Sequence, residues 1–389
     1  MIKLAYKTPL LAGALIFGSL TAWAEAPSQA ITRVWLTHRS NDPSHIVVNW
    51  TSPEPGPSLV RYGTSSDDMA EVRVEGSRTL HHVEIPIPRR DAAYHYSVAT
   101  GADRSAEATF KGYPTEVLRV AVVADWQQKP DLAALIKDDV HLLTTGGDNI
   151  PGLHPAKKNA ARTRVVAYEQ LIDAYPALFR STPFLPVLGN HDKEYRVRGD
   201  KPPAEPVYDL EASAFRSFFA LPDDGRTWRF DVDDFKLRLI GLDVNHIGDM
   251  GTTWQACRPI DADSEILAWY RSQMKNASGR FVVTLHNERN SRLMGQADGE
   301  WGRLMGLGTT AVTGFGYFAQ RSEIQGGTYY NVSLRNKDDS KPEPGSKYLD
   351  KGGVYLLLTA RRSPPQLTAE IKRLDGSVVD AHDFTIPAR

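Results

Sequence analysis

The sequence predicts a small β-sandwich over residues 25–113 followed by an α/β layered domain over residues 114–389. Two observations predict it. Between about residues 31 and 112, short apolar or alternating runs are separated by turn residues, and no stretch has helical periodicity. From about residue 116, near-continuous apolar runs alternate with helix-like segments, the pattern of a sheet buried on both faces. A chain of 389 residues is also long enough for two such units.

The first element is a targeting segment. Lys3 and Lys7 make a positive region, Leu10 to Leu20 is apolar, and Ala22 and Ala24 fit a small-residue cleavage site. Residues 1–24 therefore read as a removed signal peptide, with an exported product, periplasmic or secreted. The apolar stretch falls short of the ~18 residues that span a bilayer, and no later stretch reaches that length. A lipid anchor would need a cysteine after the cleavage site, whereas the sole cysteine is Cys257.

In the β-rich part, 46–50, 59–62, 82–85 and 94–98 read as strands. Pro53-Glu54-Pro55-Gly56-Pro57 reads as a turn, Trp50 as the core aromatic and Lys111-Gly112-Tyr113-Pro114 as the linker. In the second part, 118–124, 140–145, 184–188, 236–242 and 281–285 read as strands. Residues 131–138, 162–179 and 263–274 read as helices. The end is β-rich again, with strands at 328–334 and 353–358 and a hairpin turning at Asp375-Gly376. Residues 336–351 read as an exposed loop.

Composition narrows the chemistry. Lys and Arg number 46 against 47 Asp and Glu, so no basic excess points to nucleic acid. One cysteine excludes an intrachain disulfide and any Cys-rich metal site. Chemistry must come from Asp, Asn and His, and these follow the apolar runs: Asp125, Asp148, Asn190-His191-Asp192, Asp243 with Asn245 and His246, and His286. Open α/β sheets bind ligands beyond the carboxyl ends of their strands, so five strands would bring these residues to one edge. Each residue alone is equally a turn, cap or packing residue. Together they are oxygen and imidazole ligands suited to a divalent metal, with a histidine free to move protons.

In this order the motifs resemble those of the calcineurin-like metallophosphoesterases, and within them the purple acid phosphatase-like branch, which carries a fibronectin-type domain before the catalytic one. Gly189-Asn190-His191-Asp192 is the most specific match, and Gly147-Asp148 and His286 follow in order. The resemblance implies a fibronectin III-like sandwich and an αββα-type layered domain holding one or two divalent ions, iron, manganese or zinc. It implies Asp125, Asp148, Asn190 and His286 as metal ligands, with Asp148 bridging. It implies His191 as the substrate-facing acid, oriented by Asp192, and a phosphorylated small molecule or polymer as substrate.

Four family positions are replaced. Gln127 and Pro151 stand where the family has a ligand and the purple enzymes a tyrosine, and Gly314-Phe315-Gly316-Tyr317 stands where the family has Gly-His-x-His. Gln127, Tyr317 and His154 are the possible replacement ligands. Arg196, Arg198 and His246 are possible substrate contacts, with Arg suited to holding an anion bidentately. Two functions follow as expectations: an exported phosphoric-ester hydrolase with a remodelled metal site, or a catalytically impaired relative that binds a phosphorylated or anionic ligand. A structural role for the sandwich is a third.

Overall fold

The computed structural model describes residues 30–155, 158–275, 277–336 and 342–386. The expected signal peptide lies outside the described residues.

An N-terminal β domain is built from strands between Val34 and Lys111, joined by hydrogen bonds into one six-stranded network. Two of its strands are long, His45–Ser65 and Asp68–Pro86. The first half of His45–Ser65 pairs with Val34–Thr37 and its second half with Ala93–Thr100, so one strand serves two groups of partners. The Pro53–Pro57 segment, expected as a turn, instead lies inside the long strand with register shifts between Thr51 and Ser58. Proline is compatible with extended backbone where no ladder bond is asked of it, which lets the chain bend without breaking. Trp50 is fully buried, stacks on His81 at 4.5 Å and donates its indole N–H to Thr100 Oγ1 at 2.9 Å.

The second domain has two sheets. One is six-stranded, with Val117–Val123, Leu142–Thr145 and Phe184–Leu185 parallel and the C-terminal strands Val354–Arg361, Gln366–Arg373 and Val378–Phe384 antiparallel beside them. The other is seven-stranded around the parallel strands Leu237–Asn245, Phe281–Asn287, Thr310–Thr313 and Gly327–Asn331. The two-residue period separates its faces. Leu237, Leu239, Val283, Leu285, Val312 and Tyr330 join the core shared with the first sheet. Ile240, Leu242, Val282, Ala311 and Tyr329 pack outward with Leu267, Tyr270, Leu293, Trp301 and Leu304 of the helical segments. The two sheets therefore share a core, and helices cover the outer face of the second.

Three expected elements differ. The helix expected over 162–179 is two, Val166–Ala174 and Pro176–Ser181, because Pro176 lacks the N–H that would continue the first and suits the first turn of the second. The strand expected to Leu188 stops at Leu185, where Pro186 follows. The expected loop 336–351 ends in the strand Ser346–Lys351, and within it Glu343 is buried and donates its backbone N–H to Gln320 Oε1 at 2.8 Å. Among the described residues, no helix is long and apolar enough to cross a membrane. The two domains meet through a stacked pair, Trp35 and Phe218, with ring centroids 4.3 Å apart.

Candidate functional site

Strand ends from both sheets converge on one cavity of about 440 Å³. The first sheet delivers Asp125 and Asp148, and the second delivers His246, Asn287 and the Gly314–Phe318 loop. Asp125, Asp148, His246 and Tyr317 have φ of 54°, 56°, 46° and 57°. Asp125, Asp148 and His246 follow strands and Tyr317 precedes one, and all four border the cavity. Asp and His adopt this left-handed conformation readily, whereas for tyrosine it is strained, and such strain clusters at functional sites. Close backbone approach is needed too. A Cβ on Gly189 would lie 2.1 Å from Asp148 Oδ1, and one on Gly314 would lie 2.2 Å from the Ala124 Cβ.

The 189–192 motif builds the floor. Asp148 Oδ1 accepts the backbone N–H of His191 at 3.1 Å. His191 donates Nδ1–H to the Pro151 carbonyl at 2.8 Å, with Glu194 Oε2 3.6 Å away, which leaves Nε2 for a ligand. Burial alone would lower the His191 pKa, but the Asp148 and Glu194 carboxylates raise it. Asp125 is almost fully buried, its Oδ2 has no hydrogen-bond partner, and burial together with Asp148 pushes its carboxyl well above the usual range. Arg198, which also lines the cavity, donates to His246 Nδ1 at 3.0 Å and to Asp249 Oδ2 at 2.9 Å. Its guanidinium lies 4.3 Å over the Trp254 ring, whose N–H donates to the Arg198 carbonyl at 2.9 Å.

Residues 118–302 match the family model for calcineurin-like phosphoesterases. This segment is a calcineurin-like phosphoesterase domain. The solved structure of PhoD superposes with a TM-score of 0.64 at 10% identity, covering 91% of this chain and 89% of PhoD. GAP50, the anchor in the inner membrane complex of Plasmodium, gives a TM-score of 0.45 at 14% identity, covering 70% of this chain and 90% of GAP50. At such identities the likeness to PhoD is one of fold, and it extends across both domains. No curated protein sequence matches the chain.

Asp125, Asp148, Asn190, His191 and His246 of this segment line the cavity, together with Tyr317 beyond it. His286 does not. Its ring is fully buried, pairs Nε2 with Asn290 Oδ1 at 3.1 Å and accepts the Glu288 N–H on Nδ1 at 3.2 Å, and burial pushes its pKa down to about 4. Its neighbour Asn287 faces the cavity instead, donating Nδ2–H to the Gly146 carbonyl at 2.9 Å. Asp192 does not orient the His191 ring. Its Oδ2 accepts from Gly189 N at 2.8 Å and from Asn149 Nδ2 at 3.0 Å, and burial pushes its carboxyl up to about 7. His154 pairs with Glu194 at 2.9 Å behind the cavity. Arg196 lies over the Tyr195 ring and does not line the cavity, whereas Arg198 does. Asp243 is turned away, in a buried ion pair with Lys193, and borders a separate cavity of about 670 Å³ that holds none of the 189–192 motif.

Relatives in this family generally use divalent metals, and the paired-ion arrangement does not fit these residues. Among the described residues, no three His, Cys, Asp or Glu side chains come together to hold an ion. Gln127 presents its amide N–H, not its oxygen, to Asp148 Oδ2 at 3.2 Å. Tyr317 donates its hydroxyl to Gln127 Oε1 at 3.3 Å, and burial with Asp125 and Asp148 nearby pushes its phenol up to about 12, far from an ionised ligand. Asn287, Glu194, Tyr208 and Arg335 belong to the site or its wall and carry no motif signal in the sequence.

Proposed function

We propose that this chain is an exported phosphoric-ester hydrolase whose site has been remodelled away from the paired-ion design, acting on a phosphorylated small molecule or polymer. The observation that carries the reading is the presentation of His191. Its Nδ1–H is fixed on the Pro151 carbonyl, so Nε2 is aimed at whatever fills the cavity. Arg198, held by Trp254 and Asp249, supplies a planar cation in the same cavity for a phosphoryl group. In this arrangement Arg198 binds and orients the ester, water forms the new bond to phosphorus as the ester P–O bond breaks, and His191 delivers a proton to the departing oxygen. The finer placement near the purple acid phosphatases rests on motif order and on the N-terminal strand pairing, which suits a fibronectin III-like domain. Export rests on the leader pattern of residues 1–24.

The test is hydrolysis of an aryl phosphate by the mature chain and by His191→Ala. The expected result is a loss of roughly 10²-fold or more with unchanged thermal melting, since the ring is partly exposed. Equal turnover in the variant would remove His191 from the mechanism. A second reading, a ligand-binding relative without turnover, is favoured by the Gln127–Asp148 and Gln127–Tyr317 bonds that close the ligand positions on each other. It predicts thermal stabilisation by a phosphoester or by phosphate with no hydrolysis under any divalent ion.

A further inference from the structure

We propose that Arg335 is an internal cation that takes over the charge-neutralising role of the first divalent ion, closing that half of the site to metal. Resemblance assigns the first ion to Asp125, Asp148 and positions 127 and 317. Here the side chains at 127 and 317 bond to each other, and both engage Arg335. The guanidinium donates Nη1–H to Gln127 Oε1 and lies 4.1 Å over the Tyr317 ring. Gln127 uses its other end on Asp148 Oδ2 at 3.2 Å, so the arginine reaches that carboxylate through one amide. The positive charge of Arg335 also acts on Asp125 and favours its ionised form, as does Ser333 of the same segment.

The segment carrying Arg335 is pinned in place. Leu334 donates its backbone N–H to the Ala124 carbonyl at 2.9 Å, next to Asp125, and the Arg335 N–H donates to Ser333 Oγ at 3.1 Å. Two buried carboxylates side by side demand a compensating charge. A guanidinium supplies one that does not dissociate or deprotonate, and it stacks well on an aromatic face. The same contacts explain why Gln127 and Tyr317 are poor ligands. The Gln127 oxygen is engaged by Arg335 and Tyr317, and the tyrosine is a neutral phenol under a cation. Replacing Arg335 would leave the Gln127 oxygen held by the Tyr317 hydroxyl alone, with Asp125, Asp148 and Gln127 as three oxygen donors for a hard cation.

The inference concerns ion occupancy in the pocket and does not depend on turnover. The test is calorimetric titration of Mn²⁺ and Zn²⁺, with elemental analysis and thermal melting, on the full mature chain and on Arg335→Met. Wild type is expected to take up no more than one equivalent. Arg335→Met is expected to melt lower without added ions, to bind one equivalent more than wild type, and to regain stability as Mn²⁺ is added. If Arg335→Met folds only with Mn²⁺ present, the proposal stands. If it folds under no ion condition, Arg335→Lys, which keeps the charge, is read instead. Folding of the Lys variant with wild-type ion uptake supports the proposal, and any other result overturns it. Two equivalents in wild type, or unchanged melting and ion uptake in Arg335→Met, also overturn it. Absence of hydrolysis in all variants would bear only on the proposed activity.

Discussion

Gln127 donates its side-chain N–H to Asp148 Oδ2 at 3.2 Å, placing an amide donor where the related motif has a metal ligand. The bond inverts the polarity of that position. A ligand would turn a lone pair toward an ion held by Asp148, whereas the amide turns a proton toward Asp148 itself. The carboxylate is thereby half satisfied by protein, with its other oxygen accepting the His191 backbone N–H.

Gln127→Glu tests that polarity with nearly the same shape. The new carboxylate would set an oxygen against Asp148 Oδ2, at the 3.2 Å the amide nitrogen now occupies. Like charges at that separation, partly shielded from water, are expected to outweigh the stronger bond that the other carboxylate oxygen would accept from Arg335, at a net cost of about 1–3 kcal/mol of stability at neutral pH. With Arg335 still in place, added Mn²⁺ is expected to leave that loss unchanged. Urea denaturation with and without Mn²⁺ checks it; a variant as stable as wild type in the absence of ions would contradict the assigned orientation of the amide.

The residue after the 189–192 motif makes a separate prediction. Lys193 is fully buried and its ammonium meets Asp243 Oδ1, which also accepts from Asn245 Nδ2 at 3.1 Å. Removing one partner strands a buried charge, and Lys193→Met is expected to cost about 3–5 kcal/mol. Removing both leaves no buried charge, only the Asn245 amide without its acceptor, so Lys193→Met with Asp243→Leu should recover most of that loss. A double-mutant cycle in urea measures the difference. Simple addition of the two single losses would mean the pair does not act as a unit.

Trp254 is expected to act on binding through Arg198. Its ring supports the guanidinium at 4.3 Å and its N–H fixes the Arg198 carbonyl. In the proposed hydrolase, Trp254→Leu should raise KM for an aryl phosphate by about 5–30-fold, a loss of ~1–2 kcal/mol of positioning, with kcat within about threefold of wild type. A matching fall in kcat with unchanged KM would place Trp254 in the chemical step instead.

What the sequence made legible was local. Asp125, Asp148, Asn190 and His191 each follow an apolar run directly, and the chain brings them to one cavity because parallel strands share a carboxyl end. What stayed hidden depended on register or on distance along the chain. His286 and Asn287 close the strand Phe281–Asn287, in which every residue is buried. With apolar residues on both faces, no alternation tells which parity faces inward. The structure settles it, since Val283 and Leu285 lie in the shared core and Asn287 continues their face, while Val282 packs outward on the side His286 continues. Arg335 could not be read at all. It lies 208 positions from its partner Gln127, in a loop with no motif, and only folding joins the two. The fused strands of the first domain were missed because Pro53–Pro57 is turn-like in composition yet extended in place.

The contact between the domains should make the chain sensitive to mild acid. His38, in the N-terminal domain, is fully buried with its ring 4.7 Å from that of Phe230 in the second domain. It donates Nδ1–H to the His45 carbonyl at 2.6 Å and accepts the Tyr113 hydroxyl on Nε2 at 2.9 Å, so the neutral ring is fully satisfied. Burial pushes its pKa from 6.5 down to about 4. The unfolded chain therefore binds a proton that the folded one refuses between those values. Stability from this residue is full above pH ~6.5, falls as pH drops toward ~4 and is flat below, a change of at most ~3 kcal/mol. The buried His81 and His286 and the half-buried His82 and His141 share the direction, so the difference between two proteins is the informative quantity. Urea midpoints measured from pH 8 to pH 4.5 should fall less steeply in His38→Gln than in wild type. Parallel curves would mean that His38 takes up its proton in the folded state as readily as in the unfolded one.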